Sequence, residues 1–324
     1  YMGLELRSPI IAGSCGLTSD VEKMVEMEKA GVGAVVLKSI FEEQINEETS
    51  GVFKAGYGMG DAYPEAEDYI KAYIRSNTIQ KYVELVRNAK SRLTIPVIAS
   101  VNCFSGGEWV SFARQLEEAG ADALELNVFI LPVNEFKESA EVENVYFEIV
   151  KSIKSQIKIP VSVKISHYFT NLSAFVDKIK AYGANATTLF NRFYEPDINI
   201  NTLEMGAASV FSTAAELRTT LRWTGILAGK DKRLEISAST GVHGGEAAVK
   251  LLLAGATTVQ VCSVLYEKGI HVIEDINNFI GKWMDSKAFK TIEDYRGMLS
   301  YSSIENPDLY ERAQFMKYFA ARGE

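Results

Sequence analysis

The chain alternates short runs of apolar residues with longer amphipathic segments. Four segments share one pattern, in which a helix ends at a glycine and a short apolar strand follows. They are KAGVGAVVLKS (29–39), EAGADALELNV (118–128), AYGANATTLFN (181–191) and LAGATTVQVCS (253–263). The repetition predicts that one strand-and-helix unit recurs along the chain.

Four further strands complete the pattern. Three have a proline near their first residue, which a strand tolerates: SPIIAGS (8–14), IPVIASVN (95–102) and IPVSVKIS (159–166). The fourth is RLEISAST (233–240). Strands that alternate with helices predict a parallel sheet.

Eight such units predict a closed α/β fold, the (β/α)8 TIM barrel. We expect a single domain, with the barrel over residues 1–300 and a C-terminal helical extension over residues 301–324. Two long segments, 40–75 and 192–215, follow strands and are expected to be active-site loops. The alternative is an open doubly wound sheet, which is less favoured because no GxGxxG follows the first strand.

Composition narrows the class of protein. Of 324 residues, 47% are hydrophobic and 23% are charged, as in ordinary soluble globular proteins. The net charge of −8 argues against binding to nucleic acid or to a membrane surface as the main task. No run of about 18 apolar residues and no signal-peptide pattern is present.

The cysteines are few and scattered. Cys15, Cys103 and Cys262 have no CxxC spacing, which fits a reducing cytoplasm and excludes an iron–sulfur cluster built from this chain alone. We therefore expect a cytoplasmic protein.

In a barrel of this kind, the residues at the carboxyl ends of the strands face the active site. The sequence places there a polar, cationic set in which we find no carboxylate, unlike a glycosidase or an enolase-type site, and we expect no metal. Such a set suits an anionic, planar ligand. It consists of Ser14, Cys15, Lys38, Ser39, Asn102, Cys103, Asn127, Lys164, Asn191, Ser239, Thr240, Gly241, Cys262 and Ser263.

The segment STGVHGGEAAVKLL (239–252) is the strongest signal for phosphate binding. Thr240 and Gly241 end the seventh strand, and Gly244 and Gly245 open the next helix, whose free amides and dipole favour an anion. Ser263 follows the eighth strand beside them. The alternative is that these glycines only permit tight turns.

Each single residue at the mouth has two interpretations. Lys38 and Lys164 either contact an anion or an electron-rich ring, or extend their ammonium groups to the solvent at the rim. Asn102, Asn127 and Asn191 bind a heterocycle, or cap turns. The cysteines either line the mouth as small apolar residues or take part in the chemistry of the site.

Together these segments resemble the dihydroorotate dehydrogenase family, particularly its soluble class 1 members. The similarity spans nearly the whole barrel, and TIEDYRGMLS (291–300) resembles the closing helix of the family. The matching segments are SPIIAGS, VVLKS, ELNV, PVSVKISHYF and TGVHGGEAAVKLLLAGATTVQVCSVLYEKG.

The resemblance implies an FMN-dependent oxidoreductase of pyrimidine biosynthesis that acts on CH–CH donors. It implies that Ala12, Gly13 and Ser14 contact the flavin, that the phosphate lies between Gly241 and Ser263, and that Lys164 stabilises the anionic reduced ring. The other implied cofactor contacts are Lys38, Ser39, Asn102, Asn127, Asn191, Thr240 and Cys262. Lys38, Asn127 and Asn191 would also contact the substrate. The resemblance to class 1 members suggests a homodimer, and any iron–sulfur partner would be a separate electron-acceptor protein.

The substrate half departs from the family pattern. The catalytic base of the family is expected near Ile130, and isoleucine cannot accept a proton. Cys103 and His167 are the candidates to replace it. Arg192 is expected to bind a substrate carboxylate through its guanidinium.

Two other functions remain open from the sequence. One is a phosphosugar aldolase or isomerase in which Lys164 forms a Schiff base. The other is a non-catalytic flavin-binding subunit that relays electrons.

Overall fold

The structure, a computed structural model, describes residues 1–41, 64–102, 106–192 and 195–311, with the side chains of 64–76 and 106–109 outside that description. Within these ranges, eight parallel strands close into a barrel, which confirms the predicted (β/α)8 fold. The barrel strands are β1 (Ile10–Ala12), β2 (Ala34–Val36), β4 (Val97–Asn102), β5 (Ala123–Asn127), β6 (Val161–Ile165), β7 (Ala186–Leu189), β10 (Glu235–Ala238) and β11 (Thr258–Val261).

Closure of the barrel is visible in the pairing of β2. This strand pairs with β1 on one side and with β4 on the other, and β1 pairs in turn with β11. The sheet therefore returns on itself and leaves none of the eight strands as an edge, unlike the open doubly wound alternative. A short strand β3 (Ile40–Phe41) adds to the carboxyl end of β4.

Helices cover the outside of the barrel. They are α1 (Val21–Lys29), α2 (Pro64–Arg92), α3 (Gly106–Glu118), α4 (Ser139–Lys154), α5 (Leu172–Ala181), α6 (Leu217–Lys230), α7 (Gly245–Ala254), α8 (Ser263–Lys268) and α9 (Val272–Ser286). Short 3₁₀ helices span Gly16–Ser19, Ala214–Glu216 and Pro307–Tyr310. Residues 64–75 belong to α2, so the prediction that 40–75 is a loop is wrong for that part; residues 42–63 lie outside the described ranges.

Side chains alternate along each strand between the barrel interior and the helices. Leu124 and Leu126 of β5 face outward and join the large core under the helices. Ala123 faces inward, where a smaller apolar cluster fills the amino-terminal end of the barrel together with Met2. Glu125 and Asn127 share that inward face, so the interior changes from apolar to polar towards the carboxyl ends of the strands.

Two segments differ from the sequence-based expectation. Residues 196–207 form an antiparallel hairpin of β8 (Pro196–Asn199) and β9 (Glu204–Ala207), not an irregular loop. Residues 291–299 form turns where a closing helix was expected. The 3₁₀ helix at 307–310 packs Tyr310 against α6 at Gly225. The predicted helical extension stays a prediction for residues 312–324, which are outside the description.

No helix in the described ranges has both the length and the apolar character that crossing a membrane requires.

Candidate active site

A cleft opens at the carboxyl end of the barrel. Eight residues predicted from the sequence as cofactor or substrate contacts line it, namely Ser14, Lys164, Asn191, Arg192, Thr240, Gly241, Cys262 and Ser263. The structure thus brings together residues at or just after the carboxyl ends of β1, β6, β7, β10 and β11.

A buried ion pair lies at the floor of the cleft. Lys164 Nζ is 3.7 Å from Glu125 Oε1, and the two side chains are 8% and 2% exposed. The other carboxylate oxygen of Glu125 accepts hydrogen bonds from Gln260 Nε2 at 2.8 Å and from Thr188 Oγ1 at 2.9 Å. The ammonium group is therefore held inside the barrel by a carboxylate that is itself fixed by two donors.

Glu125 corrects the expectation that this end of the barrel lacks a carboxylate. It precedes Asn127 by two residues and so points to the same side of β5, one layer deeper. The charge of Lys164 is consequently partly balanced within the protein. The exclusion of a paired-carboxylate glycosidase still holds, because Glu125 faces a lysine rather than a second acid.

Hydroxyl and amide groups form a continuous chain along one wall. Asn191 Nδ2 donates to Asn127 Oδ1 at 2.6 Å, and Asn127 Nδ2 lies 3.4 Å from Ser39 Oγ. Ser39 Oγ in turn lies 3.0 Å from Ser14 Oγ and 2.6 Å from Ser100 Oγ. The predicted contacts Asn127, Asn191, Ser39 and Ser14 are thus neighbours in space.

The opposite end of the cleft suits a phosphate. Gly241 has a φ of +80°, and a Cβ there would lie 2.2 Å from the backbone nitrogen of Leu217. Only glycine fits this close approach without strain. Ser263 begins α8, where the first backbone amides have no partner inside the helix. The Gly241 amide donates to Ser212 Oγ at 3.4 Å, and Ser212 Oγ lies beside Ser263 Oγ, so amide and hydroxyl groups of the kind that bind anions converge here.

The side chain of His243 contacts Ser212 next to this part of the cleft. Ser212 Oγ lies 3.1 Å from Ser263 Oγ and 3.3 Å from His243 Nε2. His243 Nδ1 faces Glu267 Oε2 at 3.1 Å. The sequence pointed to the loop but not to Ser212, which comes from the segment after the β8–β9 hairpin.

The chemistry of the cleft fits a flavin. Two buried side-chain oxygens have no hydrogen-bond partner among the described residues: Gln260 Oε1, whose residue lines the cleft, and Asn102 Oδ1, at the carboxyl end of β4 and outside the cleft lining. Buried polar atoms are rarely left unpaired, so these oxygens are suited to the N–H groups of a bound ring. Lys164 supplies a cation, and Gly241 with Ser263 supplies the anion end.

Other predicted contacts lie outside the cleft lining. Ala12 is fully buried in β1. The position of Gly13 accepts only glycine, because a Cβ there would lie 2.5 Å from Cys262 Sγ. Lys38 is exposed and borders a different cavity together with Asp20 and Tyr82, so the structure does not bring it to Lys164.

Arg192 lines the cleft with its guanidinium already engaged. Its Nε is 3.0 Å from Glu216 Oε2, and its Nη1 donates to the carbonyl groups of Ser209 and Val210 at 2.9 and 3.0 Å. These contacts fix the segment after the hairpin. They leave little of the guanidinium for a substrate carboxylate, so its predicted substrate role is the weakest of the set.

Of the two candidate bases, His167 and Cys103, the structure describes only His167. His167 follows the end of β6, outside the residues that line the cleft, and its ring lies near those of Tyr168 and Phe190, with centroids 4.2 and 5.7 Å away. Partial burial lowers the pKa of His167 below its usual value, which keeps the imidazole neutral and able to accept a proton. Cys103 lies outside the described residues. Ile130 borders a small cavity beside Tyr146 and Phe169.

Several residues of the site escaped the sequence analysis. Glu125 and Gln260 each stand two residues before a predicted site residue on the same strand, so the two-residue period of a strand was the available signal. Phe190, Val210, Ser212 and Val242 also line the cleft, and of these only Phe190 and Val242 adjoin predicted residues.

Comparison with known proteins agrees with this geometry. The sequence model of the family described as dihydroorotate dehydrogenase matches residues 1–284. A Thermoplasma acidophilum protein named "Dihydroorotate dehydrogenase B (NAD(+)), catalytic subunit" is 30% identical over 302 residues, covering 91% of this chain and 96% of its own length. Proteins of the same name from Thermoplasma volcanium and Pyrococcus furiosus are 27% and 26% identical, each with 91% of this chain and 96% of its own length covered.

The match spans the barrel and the cleft, and relatives of this kind are oxidoreductases that act on CH–CH groups. The aldolase and relay alternatives are not favoured by it. This chain belongs to the dihydroorotate dehydrogenase family.

Proposed function

We propose that this protein binds FMN in the cleft and transfers hydride between the flavin and a small planar CH–CH substrate, with dihydroorotate as the first substrate to test. The observation that carries the proposal is the buried ammonium group of Lys164 at the cleft floor, held by Glu125, with an anion site at the other end of the same cleft. Bound FMN would supply the hydride acceptor, which no side chain can provide.

Different residues of the cleft would bind the phosphate and the ring of the cofactor. Gly241 and Ser263 would hold the phosphate through backbone and hydroxyl donors. Gln260, which lines the cleft, offers a buried, unpaired acceptor oxygen to the ring edge. Lys164 would favour the form of the ring that carries additional negative charge, because a cation in a water-poor site stabilises charge strongly.

Asn127 and Asn191 are the proposed substrate contacts. Their amides bond to each other at 2.6 Å, so a substrate that inserts between them must replace that bond with bonds of its own. A small heterocycle with carbonyl and N–H groups does so. This favours a planar, hydrogen-bonding substrate over a phosphosugar.

The proton that leaves the substrate needs an acceptor. Ile130 cannot serve, and His167 is the described residue that combines a neutral imidazole with a position at the end of β6. General-base assistance contributes roughly 10²- to 10⁴-fold to such reactions. We propose His167 as this base, with Cys103 as the other candidate that the sequence named.

The electron acceptor is proposed to be a separate protein chain. The relatives named above are described as catalytic subunits, which implies a partner subunit for them. Neither this partner nor the expected homodimer is represented in the single chain. Size-exclusion chromatography with light scattering distinguishes a homodimer from a monomer.

The test is an anaerobic absorbance spectrum of the purified protein, recorded before and after addition of dihydroorotate. A flavin band that bleaches supports both FMN binding and the substrate. A flavin band that persists retains the cofactor and rejects dihydroorotate. Protein that stays colourless after incubation with FMN overturns the proposal and revives the phosphosugar alternative.

A further inference from the structure

Two cysteines meet at the seam between the first and last barrel strands. β1 and β11 are neighbours, with Ala12 opposite Val261. Cys262 is the next residue after Val261, and the missing side chain of Gly13 leaves space for its sulfur above β1. Cys262 Sγ lies 3.8 Å from the carbonyl oxygen of Ser14, the residue before Cys15.

The sulfur of Cys15 is surrounded by hydrogen-bond donors. Cys15 precedes the 3₁₀ helix Gly16–Ser19, and its side chain faces the backbone amide of Thr18. The thiol of Cys262, the amide of Leu17 and the hydroxyl of Tyr266 on α8 act as donors that lower the pKa of this thiol. A Cβ on Gly16 would lie 2.7 Å from the Tyr266 hydroxyl oxygen, which places that oxygen beside the same turn. Four donors from three parts of the chain therefore converge on one thiol.

This environment shifts the pKa values of the two thiols in opposite directions. The Cys262 thiol, followed by the amides of Leu17 and Thr18, lowers the pKa of Cys15 to about 6 against the effect of burial. The same contact raises the pKa of Cys262, which burial raises further. Lys164 and Glu125 act on Cys262 in opposite directions. At neutral pH, Cys15 is then a thiolate beside a protonated partner.

We propose that Cys15 and Cys262 form a peroxide-reactive dithiol at the rim of the cleft, with Cys15 as the nucleophile and Cys262 as the resolving thiol. Nothing in the hydride-transfer chemistry uses these sulfurs. The inference does not depend on FMN, because every contact that carries it lies within the protein.

The chemistry balances in two steps. The Cys15 thiolate attacks one oxygen of hydrogen peroxide, which gives a sulfenic acid and, after proton uptake, one water. The Cys262 sulfur then attacks the Cys15 sulfur, a disulfide forms, and the hydroxyl leaves as a second water with the Cys262 proton. The two thiols lose two electrons in total, and the peroxide gains them. A disulfide here would tie the segment after β1 to the segment after β11, beside Ser14 and Ser263 of the cleft.

The first measurement is the pH dependence of Cys15 alkylation by iodoacetamide in the reduced full-length protein, followed by peptide mass spectrometry. Thiolate attack predicts a midpoint near pH 6, because the donors around the Cys15 sulfur lower its pKa to about 6, whereas an ordinary thiol alkylates with a midpoint at about pH 8.5. A midpoint in the ordinary range overturns the proposal.

The second measurement is oxidation by hydrogen peroxide, with and without added FMN. We expect a disulfide-linked peptide pair containing Cys15 and Cys262 in both conditions. In C262S, the reaction is expected to stop at a sulfenic acid on Cys15 that dimedone traps, whereas C15S is expected to leave Cys262 unmodified.

Three results contradict the proposal. They are preferential oxidation of Cys103, absence of the Cys15–Cys262 linkage in the wild-type protein, and equal reactivity of Cys262 in C15S. The wild-type measurements stand even if a variant fails to fold. The conservative variant Y266F removes one donor and is expected to raise the alkylation midpoint, which a purely structural tyrosine would not do.

Discussion

The ammonium group of Lys164 lies 3.7 Å from the carboxylate of Glu125 inside the barrel, and both side chains are almost completely buried. Each charge depends on the other, because an unpaired buried charge is costly. One oxygen of Glu125 is held by Thr188 and Gln260, while the oxygen that faces Lys164 has no hydrogen bond among the described residues. The free energy of unfolding therefore depends on both charges of this pair at the floor of the cleft.

The coupling predicts a non-additive stability cycle. K164M leaves Glu125 without its counter-charge and is expected to reduce the free energy of unfolding by about 3–5 kcal/mol. E125Q is expected to destabilise similarly, whereas the double variant should lose less than the sum of the two. Denaturant titration of the flavin-free protein measures all four proteins. Strict additivity would show that the two groups do not interact.

The same pair predicts opposite shifts of the flavin potential. E125Q removes a negative charge near Lys164 and should make the potential more positive, because the uncompensated cation favours the anionic reduced ring. K164M should make it more negative. Spectroelectrochemical titration of the FMN-loaded proteins gives both values. K23M, at an exposed ion pair with Glu26 on α1, is the control expected to leave the potential unchanged.

Gly241 predicts a position-specific penalty in the anion site. G241A places a Cβ 2.2 Å from the backbone of Leu217 at a φ of +80°, so we expect a loss of at least about 1–2 kcal/mol in stability and weaker FMN retention. G244A is the matched control, since a Cβ at Gly244 meets nothing within 4 Å. Thermal unfolding and FMN fluorescence titration compare them. Equal effects at both positions would rule out the close approach as the cause.

His167 predicts the acid limb of the pH profile. Desolvation lowers its pKa, so the imidazole is protonated, and lost as a base, only as the pH falls below the ordinary histidine range. The rate of flavin reduction by dihydroorotate should therefore fall on the acid side of pH 6.5 in the wild-type protein. H167N should remove this limb and slow the reaction by roughly 10²-fold or more. A limb that persists in H167N assigns the base to another residue.

Ile130 predicts a gain of function. I130C places an ionisable thiol at the position near which the family resemblance implies the catalytic base, and we expect faster flavin reduction by dihydroorotate, by up to roughly 10²-fold. I130V preserves the apolar character and is expected to leave the rate unchanged. Stopped-flow absorbance measures both. If I130C is as slow as I130V, position 130 does not reach the substrate.

Much of the fold could be predicted from local sequence patterns. A glycine after a helix followed by a short apolar run located four of the eight barrel strands. A proline near the start of an apolar run located three more, and the apolar run at 233–240 located the eighth. The hairpin at 196–207 was not predicted, because its apolar residues Ile198 and Met205 are exposed and follow no buried-face pattern. Segment 291–299 resembled a helix, but its local contacts are those of successive turns.

The candidate site was only partly predictable. Residues at strand ends, such as Ser263 and Asn191, could be read directly, since the barrel fixes where strand ends point. Glu125 could not, because a carboxylate within an apolar run has no visible partner until the barrel closes and places Lys164, Thr188 and Gln260 around it. Lys38 resembled Lys164 in sequence but lies at a different cavity.

The change from an apolar to a polar barrel interior has a consequence for how this protein can diversify. The amino-terminal half of the interior, around Ala123 and Met2, is a packed apolar cluster, and none of its members lines the cleft. The proposed ligand-facing groups stand at the carboxyl ends of the strands and on the segments that follow them, outside that packed half. New specificities can therefore be grafted onto one end of the barrel, by evolution or by design, while the other end keeps the scaffold intact.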